Sequence, residues 1–438
     1  MGLRSQASEC GAISRRSLLK GGAGAASLLA AARLSFPAGA FGEGAGPEVK
    51  GARLGFVATT DAAALFVAKE KGLFAKYGMP DVSVERQISW ETTRDNLVLG
   101  SEGDGIDGAH IPTPLPYLLS EGLVTQNGVP TPMHILARLN LNGQGISVSN
   151  EYADLKLGLD PRPLADALAR KRADGRAVRA AATFPGGTHD LWLRYWMASG
   201  GIVPDKDAEI IVVPPQHMVA SMNAGIMDCL CAGEPANAQL IHQSVGYSAL
   251  TTGEIWKDHP EKALALRAAW ADKNPRAAKA LLMAVMEALQ WCDKDENRDA
   301  LAAISAKRQW LNVSVNDIAA RLKGNFRYRV DRIEKNSSLL MKFWRDHASY
   351  PFQSHDAWFI AENIRWGRLP ATTDTRALVA KVNREDLWRE AAKELNVAAA
   401  DIPASASRGP ETFFDGKVFD PDDPAAYLQS LDIKHMAS

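Results

Sequence analysis

The chain has 438 residues, 46% of them hydrophobic and 23% charged, with 50 Lys and Arg against 51 Asp and Glu for a formal net charge of −1. That balance leaves no basic footprint of the kind a nucleic-acid partner requires. The length is enough for two domains, each with its own core, and past the N-terminal region no apolar run is long enough to span a bilayer.

Residues 14–20 read Ser-Arg-Arg-Ser-Leu-Leu-Lys, an apolar run follows from Gly21 to Ala32, and Ala38-Gly39-Ala40 supplies a small-residue cleavage pattern. A charged start, a short apolar middle and a small-residue end in this order predict a twin-arginine signal peptide over residues 1–40 and a periplasmic mature protein. No cysteine stands at the cleavage site, so no lipid anchor is expected. Removal of residues 1–40 takes away five basic and one acidic side chain, leaving 45 against 50 and a net charge of −5. Three cysteines remain, Cys229, Cys231 and Cys292; the first two are spaced to share one face of a strand and read as buried apolar residues, not as a metal pair.

Ala52 to Ala58 is a short apolar strand ending in Thr59-Thr60-Asp61, Ala62 to Tyr77 has helical periodicity closed by Gly78, and Val82 to Ile88 and Ile106 to Ile111 read as strands. The same grammar restarts downstream: strand Ala177 to Phe184, turn Gly186-Gly187, helix Asp190 to Ala198, strand Ile210 to Val213, helix Met218 to Ala224, strand Asp228 to Ala232. Two α/β lobes in succession follow from this order. Residues 170–179 are basic and read as a solvated segment. After Ser248 the chain is expected to turn helical, with helices at Ala277 to Cys292, Asn316 to Leu322, Arg332 to His347 and His355 to Arg365, and an irregular proline-bearing tail from Ile402.

No catalytic signature stands out: there is no Gly-x-Ser-x-Gly, no phosphate loop ending Gly-Lys-Ser/Thr, no His-Glu-x-x-His and no Gly-x-Gly-x-x-Gly following a strand. Four positions are equipped to hold a small anion. Trp90, before Glu91-Thr92-Thr93-Arg94 at a helix start, offers an indole N–H and a flat face, though packing is the commoner role for such a residue standing alone. Gln144 lies between Gly143 and Gly145, where backbone and amide can approach a guest, or where a polar turn can form. His189 follows Gly186-Gly187-Thr188 at a strand-to-helix junction, where free N–H groups welcome anions and a histidine tends to stay neutral. Lys262 falls in Asp258-His259-Pro260-Glu261-Lys262, read as the first turn of a helix, an unfavourable place for a cation that is otherwise simply solvated.

Several segments together resemble the periplasmic nitrate- and bicarbonate-binding proteins of bacterial ABC importers, from about Ala52 to Leu428. They include Ser89-Trp90-Glu91-Thr92-Thr93-Arg94-Asp95-Asn96, Asn142-Gly143-Gln144, Phe184-Pro185-Gly186-Gly187-Thr188-His189-Asp190, Gly233-Glu234-Pro235 and Thr251-Thr252-Gly253-Glu254-Ile255-Trp256. Ser354-His355-Asp356-Ala357-Trp358-Phe359 and Ile364-Arg365-Trp366-Gly367 extend the match. The resemblance implies an α/β, two-lobed periplasmic-binding-protein fold of type II character with a helical C-terminal extension. Lobe I is expected over residues 48–143, lobe II over 144–247, and the return to lobe I with the extension over 248–438.

It implies ligand contacts at Trp90, Gln144, His189 and Lys262, with Pro215 and Gly233 as nearby wall. In the family, lysine at the position of Lys262 goes with nitrate and an acidic residue with bicarbonate. A proton-free planar monoanion wants only donors and positive charge around it, and nitrite would suit the same donors. The implied function is capture of nitrate or nitrite without chemical change, for delivery to a membrane permease driven by a separate ATPase subunit. No enzyme activity, cofactor, metal or nucleic acid is expected, and a monomer is. Where the family often has an aromatic residue after Gly-Glu-Pro, this chain has Ala236. Alternatives on the same fold are a bicarbonate importer subunit, a cytoplasmic nitrate or nitrite sensor, and a sulfonate or pyrimidine-precursor protein, because function lives in the site.

Overall fold

The computed structural model describes residues 46–436; the signal peptide expected over residues 1–40 lies outside them. Strand β1 (Arg53–Val57) is buried over Leu54 to Val57 and pairs in parallel with both β2 (Ser83–Gln87) and β3 (Gly108–Pro112). A strand enclosed by neighbours and covered on both faces is apolar throughout, which is why it shows little alternation. β4 (Met133–Arg138) closes one edge of this sheet.

The chain then crosses over residues 139–143 into a second sheet through β5 (Gln144–Ser149). That sheet is completed by β6 (Arg179–Ala182), β7 (Glu209–Val212), β8 (Cys229–Gly233) and β9 (Gly246–Thr251). Residues 252–261 cross back, and β10 (Lys262–Arg267) re-enters the first sheet.

The two sheets have the same plan. Their orders are β2-β1-β3-β10-β4 and β7-β6-β8-β5-β9. In each, a central strand is parallel to two neighbours, and the fourth place is filled antiparallel by the strand that has just arrived from the other sheet. The fold is thus a two-lobed α/β structure with two crossovers.

The crossovers run against each other. Leu139 N–H donates to Lys262 O at 2.7 Å, Glu261 N–H to Asn140 O at 3.2 Å and Asn142 N–H to His259 O at 3.0 Å. Gly143 belongs to this junction, and its φ of +94° is a backbone conformation that side-chain-bearing residues rarely adopt. A later segment bonds to the first crossover, with Leu141 N–H donating to Lys342 O at 2.9 Å.

The C-terminal region is helical over Pro275–Asp293, Arg298–Ala306, Gln353–Arg365, Thr375–Val382 and Glu385–Glu394. It buttresses both sheets. Trp358 stacks on Trp192 of the helix Thr188–Ser199 with centroids 4.7 Å apart, while Asp356 pairs with Arg138 at the end of β4, both buried. Asn383 Nδ2 donates to the second carboxylate oxygen of Asp356 at 2.6 Å.

Several expectations need correction. Residues 248–267 form no α-helix: they finish β9, make one 3-10 turn at Thr252–Glu254 and form β10. Residues 332–347 are not a helix either. Arg332–Glu334 pairs with Phe326–Arg329, and the N–H groups of Phe343 and Arg345 go to the carboxylate of Asp293, at 2.9 and 2.8 Å, in place of carbonyls one turn back. The basic stretch from Arg170 begins as the last turn of a helix, Arg162–Ala173, and Lys171 is tied to buried Asp228. Cys229, Cys231 and Cys292 are buried and free, the first two packed in the same hydrophobic cluster.

Candidate functional site

Each of the four residues singled out by their chemistry opens or nearly opens an element. Trp90 is the first residue of the helix Trp90–Leu99, whose start is fixed by Ser89 Oγ accepting from Thr92 N–H at 3.1 Å. His189 is the second residue of the helix Thr188–Ser199, and Asp190 secures the turn before it by accepting from Gly186 N–H at 2.7 Å. Gln144 and Lys262 are the first residues of β5 and β10, the two strands that arrive by crossover. Lys262 therefore does not sit in a helical first turn, and Gln144 does not sit in a polar turn.

The four side chains converge, all buried at 1% exposure or less. Lys262 Nζ is 3.4 Å from His189 Nε2 and 5.8 Å from the centroid of the Trp90 ring. His189 Nε2 is 2.8 Å from Gln144 Oε1. An amide oxygen only accepts, so Nε2 carries the proton in this arrangement and cannot accept from Lys262; the Lys262 contact is crowding of two donors, not a bond.

Gly233 faces Gln144 across the β5–β8 ladder, and a Cβ at Gly233 would meet Gln144 Oε1 at 2.7 Å. Gly233 thus belongs to the wall of the cluster. Pro215 is buried at the start of the turn Pro215–His217 and shares no hydrogen bond with the four. Ala236, buried, begins the helix Ala236–His242.

Two carboxylates complete the cluster, and the sequence reading missed both. Asp61 follows β1; its Oδ2 is 3.1 Å from Lys262 Nζ and accepts from Gln144 Nε2 at 2.9 Å, while Oδ1 is 2.6 Å from Thr59 Oγ1 and 2.8 Å from His110 Nε2. Glu261 Oε1 accepts from Lys262 Nζ at 2.6 Å and from the Thr188 hydroxyl, and Oε2 accepts from Trp192 Nε1 at 2.9 Å. Asp61 had been visible only as a capping residue and Glu261 only as a neighbour of Lys262. The expectation of a cluster made of donors alone is therefore wrong for this site.

The electrostatics follow from burial and pairing. Burial favours the neutral form of every group here, yet Lys262 and His110 hold the Asp61 carboxyl well below its usual range. Glu261 is lowered chiefly by Lys262 against the same penalty. Lys262 is raised because the two carboxylates outweigh its own burial. His189 is pushed down to about 3 by burial and by the neighbouring ammonium, and His110 and His259 are lowered chiefly by burial. The picture is an ammonium, two carboxylates and neutral imidazoles.

Within the cluster, one indole donor has nothing to bond. Trp90 Nε1 is buried without a partner. Trp388 Nε1 and His110 Nδ1 are among the other buried polar atoms without a partner, but Trp90 Nε1 alone of these is a donor beside the Lys262 ammonium. Lys262 has a third N–H and Gln144 a second amide N–H beyond those given to the carboxylates. Among the described residues no group of three His, Cys, Asp or Glu side chains is arranged to hold a metal ion.

Residues 45–306 match the model of the NMT1-like family. The chain belongs to that family. Within it, the chain is 60% identical over 390 residues to the nitrate/nitrite binding protein NrtA of Synechocystis sp. PCC 6803, covering 89% of this chain and 86% of that protein. It is 46% identical over 396 residues to the bicarbonate-binding protein CmpA of a Synechococcus strain, covering 88% of each. The crystal structure of the periplasmic nitrate-binding protein NrtA from Synechocystis PCC 6803 superimposes with a TM-score of 0.87 at 59% identity, over 89% of this chain and all of that one. The fold shared with this family member is the two-lobed periplasmic-binding-protein architecture expected from the sequence.

Proposed function

We propose that the protein is the solute-binding subunit of an ABC importer that captures nitrate, and nitrite by the same donors, between its lobes. It holds the anion without chemical change and hands it to a membrane permease served by a separate ATPase subunit. Trp90, Gln144, His189 and Lys262 are the ligand contacts, with Gly233 as wall. Pro215 has weaker support, because it shares no hydrogen bond with the others. Lobe I comprises residues 48–143 and the returning chain, and lobe II runs from residue 144 through the end of β9 at Thr251, a few residues beyond the expected boundary at 247. The paired arginines Arg15-Arg16 support export by the twin-arginine route and action in the periplasm.

The observation that carries this reading is the buried, unpartnered indole N–H of Trp90 beside the Lys262 ammonium. An orphan donor next to a cation calls for an acceptor with negative charge. Nitrate fits better than bicarbonate. Both oxygens of Asp61 and Oε1 of Glu261 already meet two protein donors each, which leaves only Glu261 Oε2, bonded to Trp192 Nε1, with a spare place for the O–H of a bicarbonate.

Thermal unfolding of the purified protein with nitrate, nitrite, bicarbonate or taurine tests the reading. A ligand at 100 times its Kd adds about 2.7 kcal/mol. Nitrate should raise Tm and bicarbonate should not; the reverse would overturn the choice of anion.

A further inference from the structure

We propose that the site captures its anion together with one proton, and that the proton resides on the imidazole of His189. This rests on the nitrate reading above and adds the charge that travels with the ligand.

Asp61, Glu261 and Lys262 are the charged side chains of the cluster, all at 1% exposure or less, so it carries a formal −1 before any guest arrives. A monoanion makes that −2 in a place where an uncompensated charge is costly. One proton returns the occupied site to the charge of the empty one. The carboxylates are poor receivers, because their oxygens already accept hydrogen bonds from Lys262, Gln144, Thr59, His110, Thr188 and Trp192.

Three buried imidazoles remain. His110 bonds Asp61 through Nε2, but its Nδ1 is buried without a partner, so a second proton there would have no acceptor. His259 also faces two acceptors, Pro260 O at 3.0 Å and Thr252 Oγ1 at 2.8 Å, but it shares no hydrogen bond with Trp90, Gln144, His189 or Lys262 and its ring lies against Trp192, so an arriving anion does not meet it directly. His189 touches both Lys262 and Gln144 and is built for two protons. Its Nε2 faces Gln144 Oε1 at 2.8 Å and its Nδ1 faces Thr183 Oγ1 at 2.5 Å. An amide oxygen accepts, and a hydroxyl accepts as readily as it donates, so both N–H groups of an imidazolium are satisfied without movement.

The groups around His189 are Lys262, which opposes the charge at 3.4 Å, Glu261, which favours it at 3.7 Å, Asp61 beyond Gln144, and neutral His110. In the empty site burial and Lys262 win, and the ring stays neutral. An anion at contact distance adds negative charge on the side that decides the balance. A group whose pKa rises on binding takes up a proton between its free and bound pKa values, and binding tightens as pH falls through that window.

Titration calorimetry of the full chain with sodium nitrate, in paired buffers of different ionisation enthalpy from pH 8 to pH 5.5, reads this directly. Proton uptake per nitrate should climb toward one at the acid end, with affinity rising up to about tenfold per pH unit. Heat independent of buffer at every pH, with flat affinity, would overturn the proposal while leaving nitrate capture intact. No nitrate heat at any pH would remove the nitrate reading and this proposal with it. Thr183→Val replaces the acceptor opposite Nδ1 with a methyl group and should cut proton uptake at pH 5.5 by at least half. Unchanged uptake in that variant would overturn the assignment to His189.

Discussion

Asp61 Oδ2 and Lys262 Nζ stand 3.1 Å apart with both side chains shut off from water, and Glu261 meets the same ammonium from the other side at 2.6 Å. The lysine is thus gripped by two carboxylates that come from opposite ends of the chain's path through the first sheet. Its position is fixed before a guest arrives, which is the preorganisation that tight capture needs.

Removing the ammonium should therefore damage fold and binding together. Lys262→Met strands two buried carboxylates, a change that costs about 3–5 kcal/mol when one partner of a buried pair is lost. Denaturant unfolding should show that loss, and nitrate titration should show no binding. Lys262→Glu should be worse on both counts, since it adds a third negative charge. Wild-type stability in Lys262→Met would mean that the pair in the structure is not formed in solution.

Trp90→Phe should separate binding from stability. The ring packs at zero exposure and its N–H has no protein partner, so phenylalanine removes an unsatisfied donor and leaves most of the apolar contact. Stability of the ligand-free protein should change by less than about 1.5 kcal/mol. Nitrate affinity should fall about 10- to 100-fold, the worth of a hydrogen bond to a charged group. An unaltered Kd in Trp90→Phe would remove the indole from the site.

Gly233→Ala tests the wall. Its Cβ would press on Gln144 Oε1 at 2.7 Å, and that oxygen is the partner of His189. The end of a side chain can yield, so the fold should survive while the amide turns away and nitrate binds at least several-fold more weakly. Equal affinity, measured by calorimetry, would show that the amide orientation does not matter.

The readable part of this chain was the part in which local sequence and local structure agree. The strand-helix units around β1, β6 and β8, the helix starts at Trp90 and Thr188, and the long helix Pro275–Asp293 all carry caps, glycines or periodicity of their own. What was missed lies where long-range pairing decides. β4, β5, β9 and β10 gain their strand character from partners far along the chain, so Lys262 looked like a helical residue although its backbone pairs with Pro112. Gln144, likewise, is a strand residue because it faces Gly233. Asp61 and Glu261 were overlooked for a related reason. A carboxylate next to a cap or a lysine looks solvated until the fold closes over it, and only the two crossovers bring these residues to the same ammonium.

Acid should weaken the ligand-free protein before its carboxylates titrate. His110, His189, His259 and His355 are all lowered, mainly by burial, while the unfolded chain binds protons near pH 6.5. Their contribution is fully present above that pH and is lost as pH falls toward the folded values, about 3 for His189. Each ring should cost about 1 kcal/mol per pH unit below 6.5. Thermal unfolding without ligand should show Tm falling by several degrees between pH 7.5 and 5.5; a Tm that rises over this range would contradict neutral burial of these rings.

The central claim is that one small anion sits where Trp90, Gln144, His189 and Lys262 converge. A crystal structure of the protein loaded with nitrate tests it most directly. The account predicts nitrate oxygens within hydrogen-bond reach of Trp90 Nε1 and Lys262 Nζ, with Gln144 and His189 lining the same guest. Nitrate bound elsewhere, with the Trp90 N–H still unpartnered, would contradict it.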